Sequence, residues 1–167
     1  YVPDSLARIP HYEVATGGTS GNQLRLYVDD ASQSVEIAFV NRMWSRVGYT
    51  PRCRKATFRG VSFPELPPDV YWYQNPIYNE LRFSPFHMSE STMGLYVDEM
   101  LRYDPSYIHG YTSTVDLLAE YILRHDLSAR FDGVRAVLLV SESCSRAQSE
   151  RIARAFGARA FPMYGHS

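Results

Sequence analysis

Residues 134–164 read VRAVLLVSESCSRAQSERIARAFGARAFPMY, and this stretch predicts a strand, a helix and a second strand. Segment 134–140 is a nearly continuous apolar run, which is typical of a strand covered on both faces, as in a parallel sheet. Ser145 and Gln148 have the spacing of a capping box, so we expect a helix from there to Phe156, with Gly157 as its stop. Segment 158–164 is the next strand.

The same alternation extends towards the N-terminus. Apolar residues recur at helical spacing in three segments, at 31–47, 93–101 and 115–123. Strand-like segments lie between or before them, at 12–15, 24–28, 55–61, 81–83 and 107–109. Segment 62–79 is rich in proline and aromatic residues without a period, which predicts a long surface connection. The sequence therefore predicts an α/β fold with a largely parallel sheet and helices on its faces.

Composition excludes several functional classes. The chain has 167 residues, 45% of them hydrophobic, and a formal net charge of −1, so it lacks the overall basic charge of a nucleic-acid-binding or membrane-surface protein. Its longest apolar run, 136–140, is far shorter than the roughly 18 to 20 residues of a membrane-spanning helix. Cys53 and Cys144 form no C-x-x-C pair, which fits a reducing compartment. We expect a cytoplasmic protein without nucleic-acid partners or membrane insertion.

A glycine-rich loop follows the first strand-like segment. It carries three glycines and three hydroxyl side chains, whose N–H and O–H groups could surround phosphate oxygens: Thr16, Gly17, Gly18, Thr19, Ser20 and Gly21. The lysine of a Walker A loop is missing, and a strand rather than a helix follows. The alternative is a mobile hairpin-like loop that binds nothing.

Polar residues follow three of the strand-like segments, where α/β proteins commonly place functional groups. His87 could act as a general base or wall a pocket, or could simply be bonded to a backbone carbonyl. His109, Gly110 and Tyr111 could line a crevice, or the tyrosine could be a packed side chain. Glu142 lies at the crevice position of an open sheet, and its alternative role is to cap the following helix.

Four basic residues form a second candidate site for an anion. They are interleaved with Tyr49 and Phe58, and they are Arg52, Arg54, Lys55 and Arg59. A phosphate or a CoA-like anion would suit such a cluster, and the alternative is a basic face exposed to solvent.

The last residues of the chain support two interpretations. Gly165-His166-Ser167 after a strand is the first half of the G-x-S-x-G nucleophile elbow, which would make the protein an α/β serine hydrolase with Ser167 as its nucleophile. The second glycine of that motif lies beyond residue 167. A chain that opens without Met and stops inside such a segment also suggests a piece of a longer protein.

Five motifs follow one another along the chain: TGGTSG at 16–21, SPFH at 84–87, HGYTS at 109–113, SES at 141–143 and YGHS at 164–167. Together they resemble the adenylate-forming (acyl-CoA ligase) superfamily, and within it the phenylacetate-CoA ligase-like branch, which includes adenylating proteins of capsular polysaccharide biosynthesis. Gly17 stands where that family usually has Ser, and Ser20 where it usually has Thr. The hydrolase interpretation explains one of these motifs only.

The resemblance implies a role for each motif. The loop from Thr16 to Gly21 would bind the β- and γ-phosphates of ATP. The adenine and ribose would lie against Ser141, Glu142, Ser143, Tyr164, Gly165 and His166. His87 and Ser167 would be the residues at the reacting groups, and His87, His109, Gly110 and Tyr111 would form the carboxylate pocket.

The implied reaction activates a carboxylic acid with ATP, releases pyrophosphate and passes the acyl group to CoA or another thiol. The cofactors would be ATP and Mg²⁺, with no metal ligand within the chain, because the family's Mg²⁺-binding Glu would follow Ser167. Residues 1–167 would form a single α/β segment of the AMP-binding domain, without its C-terminal half or the mobile C-terminal domain. We therefore expect the isolated chain to be inactive. A non-catalytic nucleotide-binding module is the third interpretation.

Overall fold

The computed structural model describes residues 9–15, 24–60 and 66–163. The chain packs as two compact units, residues 1–46 and 47–167. No helix in the described ranges combines the length and the apolar character that crossing a membrane requires.

The first unit holds an antiparallel pair of strands and one helix. Strands β1 (His11–Ala15) and β2 (Arg25–Asp29) pair along their whole length, and helix α1 covers Asp30–Trp44. The carboxylate of Asp29 starts this helix, because it accepts hydrogen bonds from the first free backbone N–H groups, at Ala31 and Ser32. The strands and the helix predicted for this region are confirmed.

The second unit is built on a six-stranded sheet, ordered β4-β5-β3-β6-β7-β8. Its strands are β3 (Lys55–Phe58), β4 (Trp72–Asn75), β5 (Glu80–Phe83), β6 (Tyr107–Tyr111), β7 (Ala136–Val140) and β8 (Arg159–Pro162). All neighbours are parallel except β4, which runs antiparallel at the edge beside β5. The predicted α/β fold with a largely parallel sheet is confirmed.

Strand β4 corrects one prediction. It lies in segment 62–79, which we expected to be an irregular connection because proline and aromatic residues obscure any period. An edge strand needs a hydrogen-bonding partner on one side only, and β5 supplies it, so pairing decides the structure here rather than local pattern.

Three helices cover one face of the sheet: α2 (Met93–Tyr103), α3 (Thr112–Arg124) and α4 (Arg146–Phe156). From β5 to β8 the chain moves along the sheet in one direction, and right-handed crossovers then place every helix on the same side. Alternate strand residues such as Phe58, Ile108 and Leu139 share a fully buried core with these helices. The predicted capping box of α4 is present, and Gly157 follows in the left-handed region at φ 60°.

The opposite face of the sheet is polar at its centre. Glu80 is 3% exposed and lies 3.2 Å from the Lys55 ammonium and 2.6 Å from the Arg82 guanidinium. The Thr57 hydroxyl donates to the same carboxylate at 2.6 Å. These residues occupy alternate positions on β3 and β5, so the parallel register brings them side by side.

Candidate functional site

Four strand ends meet at the carboxyl edge of the sheet. Strands β5, β3, β6 and β7 are neighbours and run in the same direction, so the segments that follow them lie at one edge. The described site predictions after these strands are His87, Tyr111 with Gly110, and the Ser141–Glu142–Ser143 turn. The loop at residues 16–21 and residues 164–167 lie outside the described residues.

His87 lies in a short 3-10 helix, Pro85–His87, directly after β5. Its Nδ1 is 2.8 Å from the hydroxyl of Ser84, so its partner is a side chain and not a backbone carbonyl. The exposed imidazole also stacks on Tyr71, with ring centroids 5.2 Å apart. A cleft of about 280 Å³ opens beside it, lined by Leu66, Pro67, Pro68, Asp69, Val70, Tyr71, Ser84 and His87.

Ser84 fixes the geometry of this cleft. Its backbone N–H donates to the Tyr71 carbonyl, and its own carbonyl accepts from the Tyr96 hydroxyl, each at 2.8 Å. Ser84 is 3% exposed, while the imidazole that it holds is open to solvent. A rigid support under an accessible polar group is the arrangement that binding sites need.

His109 is buried within the polar face of the sheet. It is 4% exposed, and its Nδ1 lies 3.0 Å from the carbonyl oxygen of Leu138. Burial, reinforced by the positive charge of Lys55, lowers the pKa of His109 to about 3. The imidazole is therefore neutral at physiological pH, and burial makes a proton-transfer role of His109 unfavourable there.

Gly110 and Tyr111 end strand β6. A Cβ on Gly110 would lie 2.7 Å from the carbonyl oxygen of Phe58, so only glycine allows β3 and β6 to approach here. Tyr111 is half-buried, and the guanidinium of Arg59 lies 6.0 Å from its ring centroid. Tyr111 is therefore partly packed at the carboxyl end of β6, and its place in a crevice stays a prediction.

Glu142 caps a helix, but not the one that the sequence suggested. Its carboxylate accepts hydrogen bonds from the backbone N–H of Ser113 at 2.7 Å and from the Ser113 hydroxyl at 2.9 Å. These groups belong to the first turn of α3, which precedes Glu142, whereas α4 is capped by Ser145. Sequence reasoning missed this pair because its members are 29 residues apart and meet only when β6 and β7 pair.

Ser141 and Ser143 flank that carboxylate. Ser141 has a φ of 62°, a left-handed conformation that costs energy for a residue with a side chain. Ser143 is exposed at the edge of the sheet. The turn therefore presents hydroxyl and backbone groups to the edge while the Glu142 carboxylate is engaged with α3.

The predicted basic cluster is divided by the fold. Arg54 forms an ion pair with Asp104, and Lys55 is buried against Glu80. Arg52 is exposed beyond the other end of the strand. Arg59 alone reaches the carboxyl edge, and its Nε is buried without a hydrogen-bond partner. The four residues therefore form neither a single anion site nor a single exposed face.

The described residues hold no candidate metal centre. Within residues 9–15, 24–60 and 66–163, no three His, Cys, Asp or Glu side chains come together in a way that could hold a metal ion. The described residues therefore offer no carboxylate cluster for Mg²⁺.

Comparison with known proteins finds similarity in both sequence and fold. No protein-family model matches the chain. Protein CapK of Staphylococcus aureus is 22% identical over 157 residues, which are 93% of this chain and 35% of CapK. A 2-hydroxyisobutyryl-CoA ligase, solved in complex with 2-HIB-AMP and CoA, superposes with a TM-score of 0.59 and 18% identity over 96% of this chain and 36% of its own.

A third similar structure is a long-chain-fatty-acid-CoA ligase from Archaeoglobus fulgidus. It has a TM-score of 0.57 and 8% identity, over 92% of this chain and 30% of the ligase. The chain thus spans about a third of the length of the proteins it matches. At these identities the likeness shows the fold: the chain has the α/β architecture of a segment of these two CoA ligases.

Proposed function

We propose that this chain is part of an adenylate-forming acid–thiol ligase. The carboxylate of an organic acid would attack the α-phosphorus of ATP, release pyrophosphate and form an acyl-adenylate, which CoA or another thiol then captures. Residues 1–167 would belong to the AMP-binding domain, and the remaining part of that domain and a mobile C-terminal domain would complete the enzyme. The motifs favour the phenylacetate-CoA ligase-like branch and a cytoplasmic role in capsular polysaccharide or aromatic-acid metabolism.

One observation carries this proposal. The motifs at the ends of β5, β6 and β7 lie along one edge of the same parallel sheet, with β3 between β5 and β6, and this is the edge where ligands of open α/β sheets bind. The fold around that edge is shared with acyl-CoA ligases, one of them solved with an acyl-adenylate and CoA. Fold alone would not assign the chemistry, but fold and motif positions agree.

The described edge offers two different environments. At the β5 side, His87 and the apolar cleft beside it suit an organic acid. At the β7 side, the Ser141 and Ser143 groups suit the polar surface of a nucleotide, and the Glu142 carboxylate would act by holding α3. The phosphate contacts proposed for Thr16–Gly21 and Ser167, and the adenine contact of Tyr164, rest on the sequence resemblance.

ATP fits the donor groups of this edge, since hydroxyl and backbone N–H groups are the usual partners of phosphate and ribose oxygens. Mg²⁺ would supply charge neutralisation for the attack of one anion on another. By this proposal the ligands of Mg²⁺ lie outside the described residues.

The test uses the longest native polypeptide that contains this sequence. Pyrophosphate release is measured with MgATP, hydroxylamine as acyl trap and a panel of aryl, fatty and sugar-derived acids. We expect release that depends on one acid class and falls at least tenfold in His87→Ala, while His125→Ala, an exposed histidine at the end of α3, keeps the wild-type rate. Ester hydrolysis without ATP dependence would instead support the hydrolase, and ATP binding without turnover would support a non-catalytic module.

A further inference from the structure

Three residues form a row across the open edge of the sheet. Phe58 is paired with Phe83 on one side and with Gly110 on the other. The next residues are Ser84 and Arg59, directly after β5 and β3, and Tyr111, the last residue of β6. The charge of Arg59 acts on Lys55 and His109, which lie on the polar face of the sheet. Strand β3 lies between β5 and β6. Arg59 therefore lies between the His87 turn and the end of β6.

The guanidinium of Arg59 lacks an acidic partner. No carboxylate in the described part of the chain lies within ion-pair distance of it, and its buried Nε makes no hydrogen bond. Among the described residues, the guanidinium of Arg59 lies over the aromatic ring of Tyr111. Buried donors of a charged group are nearly always satisfied, so an unsatisfied one at the carboxyl edge of the sheet points to a ligand oxygen.

The described groups around Arg59 are positive overall. Lys55 and Arg82 share the Glu80 carboxylate, and Arg59 adds a third cation near Lys55 that pairs with no described carboxylate. His109 adds no negative charge, and both Lys55 and Arg59 lower its pKa further after burial has done so. An anion at Arg59 would neutralise this excess, whereas a neutral ligand would leave it unchanged.

We propose that Arg59 binds a second anionic group of the acid substrate, so that the enzyme activates one carboxylate of a dicarboxylic acid and holds the other. This inference rests on the proposed function. A guanidinium binds a carboxylate through two parallel N–H donors, which gives both affinity and orientation.

The second carboxylate is a better partner for Arg59 than the reacting one. Bidentate pairing engages both oxygens of a carboxylate and withdraws the electron density that attacks phosphorus. A pair formed with the group that does not react persists unchanged from the bound substrate to the acyl-adenylate, so it orients the reacting end without opposing the step.

The experiment compares matched acids in the same pyrophosphate assay on the native polypeptide. The pairs are glutarate with pentanoate, adipate with hexanoate, and terephthalate with p-toluate. The variants are Arg59→Gln, which removes the charge, and Arg59→Lys, which keeps it without the planar fork. Arg54→Gln is the control, because Arg54 adjoins the opposite end of the same strand and pairs with Asp104. Circular dichroism of each variant establishes that it is folded.

We expect the wild type to prefer the dicarboxylate of at least one pair by on the order of 10- to 100-fold in kcat/KM, the usual value of a charge-assisted pair. Arg59→Gln should abolish that preference while the monocarboxylate rate stays within about twofold, and Arg59→Lys should keep part of it. An equal loss for both acids in Arg59→Gln, or no preference in the wild type, would overturn the proposal.

Failure of the proposed function would look different. If no acid gives pyrophosphate, the adenylating reaction itself is refuted, and calorimetric titration without ATP then decides the binding site. Dicarboxylate binding that Arg59→Gln abolishes would support an anion site at Arg59. Equal binding in the wild type and Arg59→Gln, or no binding in either, would refute the anion site at Arg59 as well.

Discussion

Replacement of Glu80 by Gln tests the account of the polar face. Glu80 is 3% exposed and faces the Lys55 ammonium at 3.2 Å, the Arg82 guanidinium at 2.6 Å and the Thr57 hydroxyl at 2.6 Å. Glutamine keeps the shape but removes the one negative charge among these cations. Removal of one partner from a buried ion pair costs about 3–5 kcal/mol.

Because Arg82 is partly exposed, we expect the loss of stability in Glu80→Gln to lie at the lower end of this range. Its side chain is 27% exposed, so water replaces part of what it loses, and we expect a decrease of about 3 kcal/mol in the free energy of unfolding. With a urea dependence of about 2 kcal/mol per molar, the unfolding midpoint falls by about 1.5 M. The measurement is urea unfolding of the native polypeptide, followed by circular dichroism. Glu150→Gln is the control, because that glutamate is 61% exposed and its pair with Arg146 is worth about 0.3–0.5 kcal/mol.

The effect should also depend on pH. Burial alone would raise the pKa of Glu80, but Lys55, Thr57 and Arg82 together outweigh it and hold the pKa below its ordinary value of 4.5. A carboxyl with a lowered folded-state pKa contributes stability above its unfolded-state pKa and loses it as the pH falls through the folded-state value. The difference between wild type and Glu80→Gln should therefore shrink below about pH 4. A midpoint shift under 0.3 M (roughly a fifth of that expected) or a difference independent of pH would refute this reasoning.

Three further substitutions test the fold and the edge of the sheet. Gly110→Ala places a Cβ 2.7 Å from the carbonyl oxygen of Phe58, and we expect it to lower the free energy of unfolding in urea by about 2–3 kcal/mol. Gly94→Ala is the control, because the nearest atom to its Cβ is at 3.4 Å, and it should be neutral or stabilising. Equal effects of the two substitutions would contradict the steric account. Ser145→Ala removes the capping box of α4 and should lower the free energy of unfolding by about 1 kcal/mol, which corresponds to a fall of about 3 °C in melting temperature. An unchanged melting temperature in calorimetry would show that the capping box does not stabilise the protein. Glu142→Gln weakens the cap of α3 and should lower the free energy of unfolding by about 0.5–1 kcal/mol at low salt and by less at high salt. A loss of stability that does not depend on salt would argue against a charge effect.

Local sequence signals predicted most of the elements in this protein. The capping box and Gly157 mark both ends of α4 within a dozen residues, because capping uses groups that are close along the chain. The continuous apolar run of β7 indicated a parallel sheet for an equally direct reason, since both faces of a central parallel strand are buried. Strand β4 was missed because an edge strand carries a weaker pattern and depends on its partner.

The sequence by itself determined the α/β class, the order of the elements other than β4, and the strand ends at which polar residues would lie, because these follow from periodicity and capping along neighbouring positions. Only the tertiary structure decided which of those residues meet. The strand order β5-β3-β6 places Arg59 between Ser84 and Tyr111 and gathers Lys55 and Glu80, while pairing of β6 with β7 brings Glu142 to Ser113. Such contacts join residues roughly 25 to 50 positions apart, so they depend on sheet topology and burial, which no local period records.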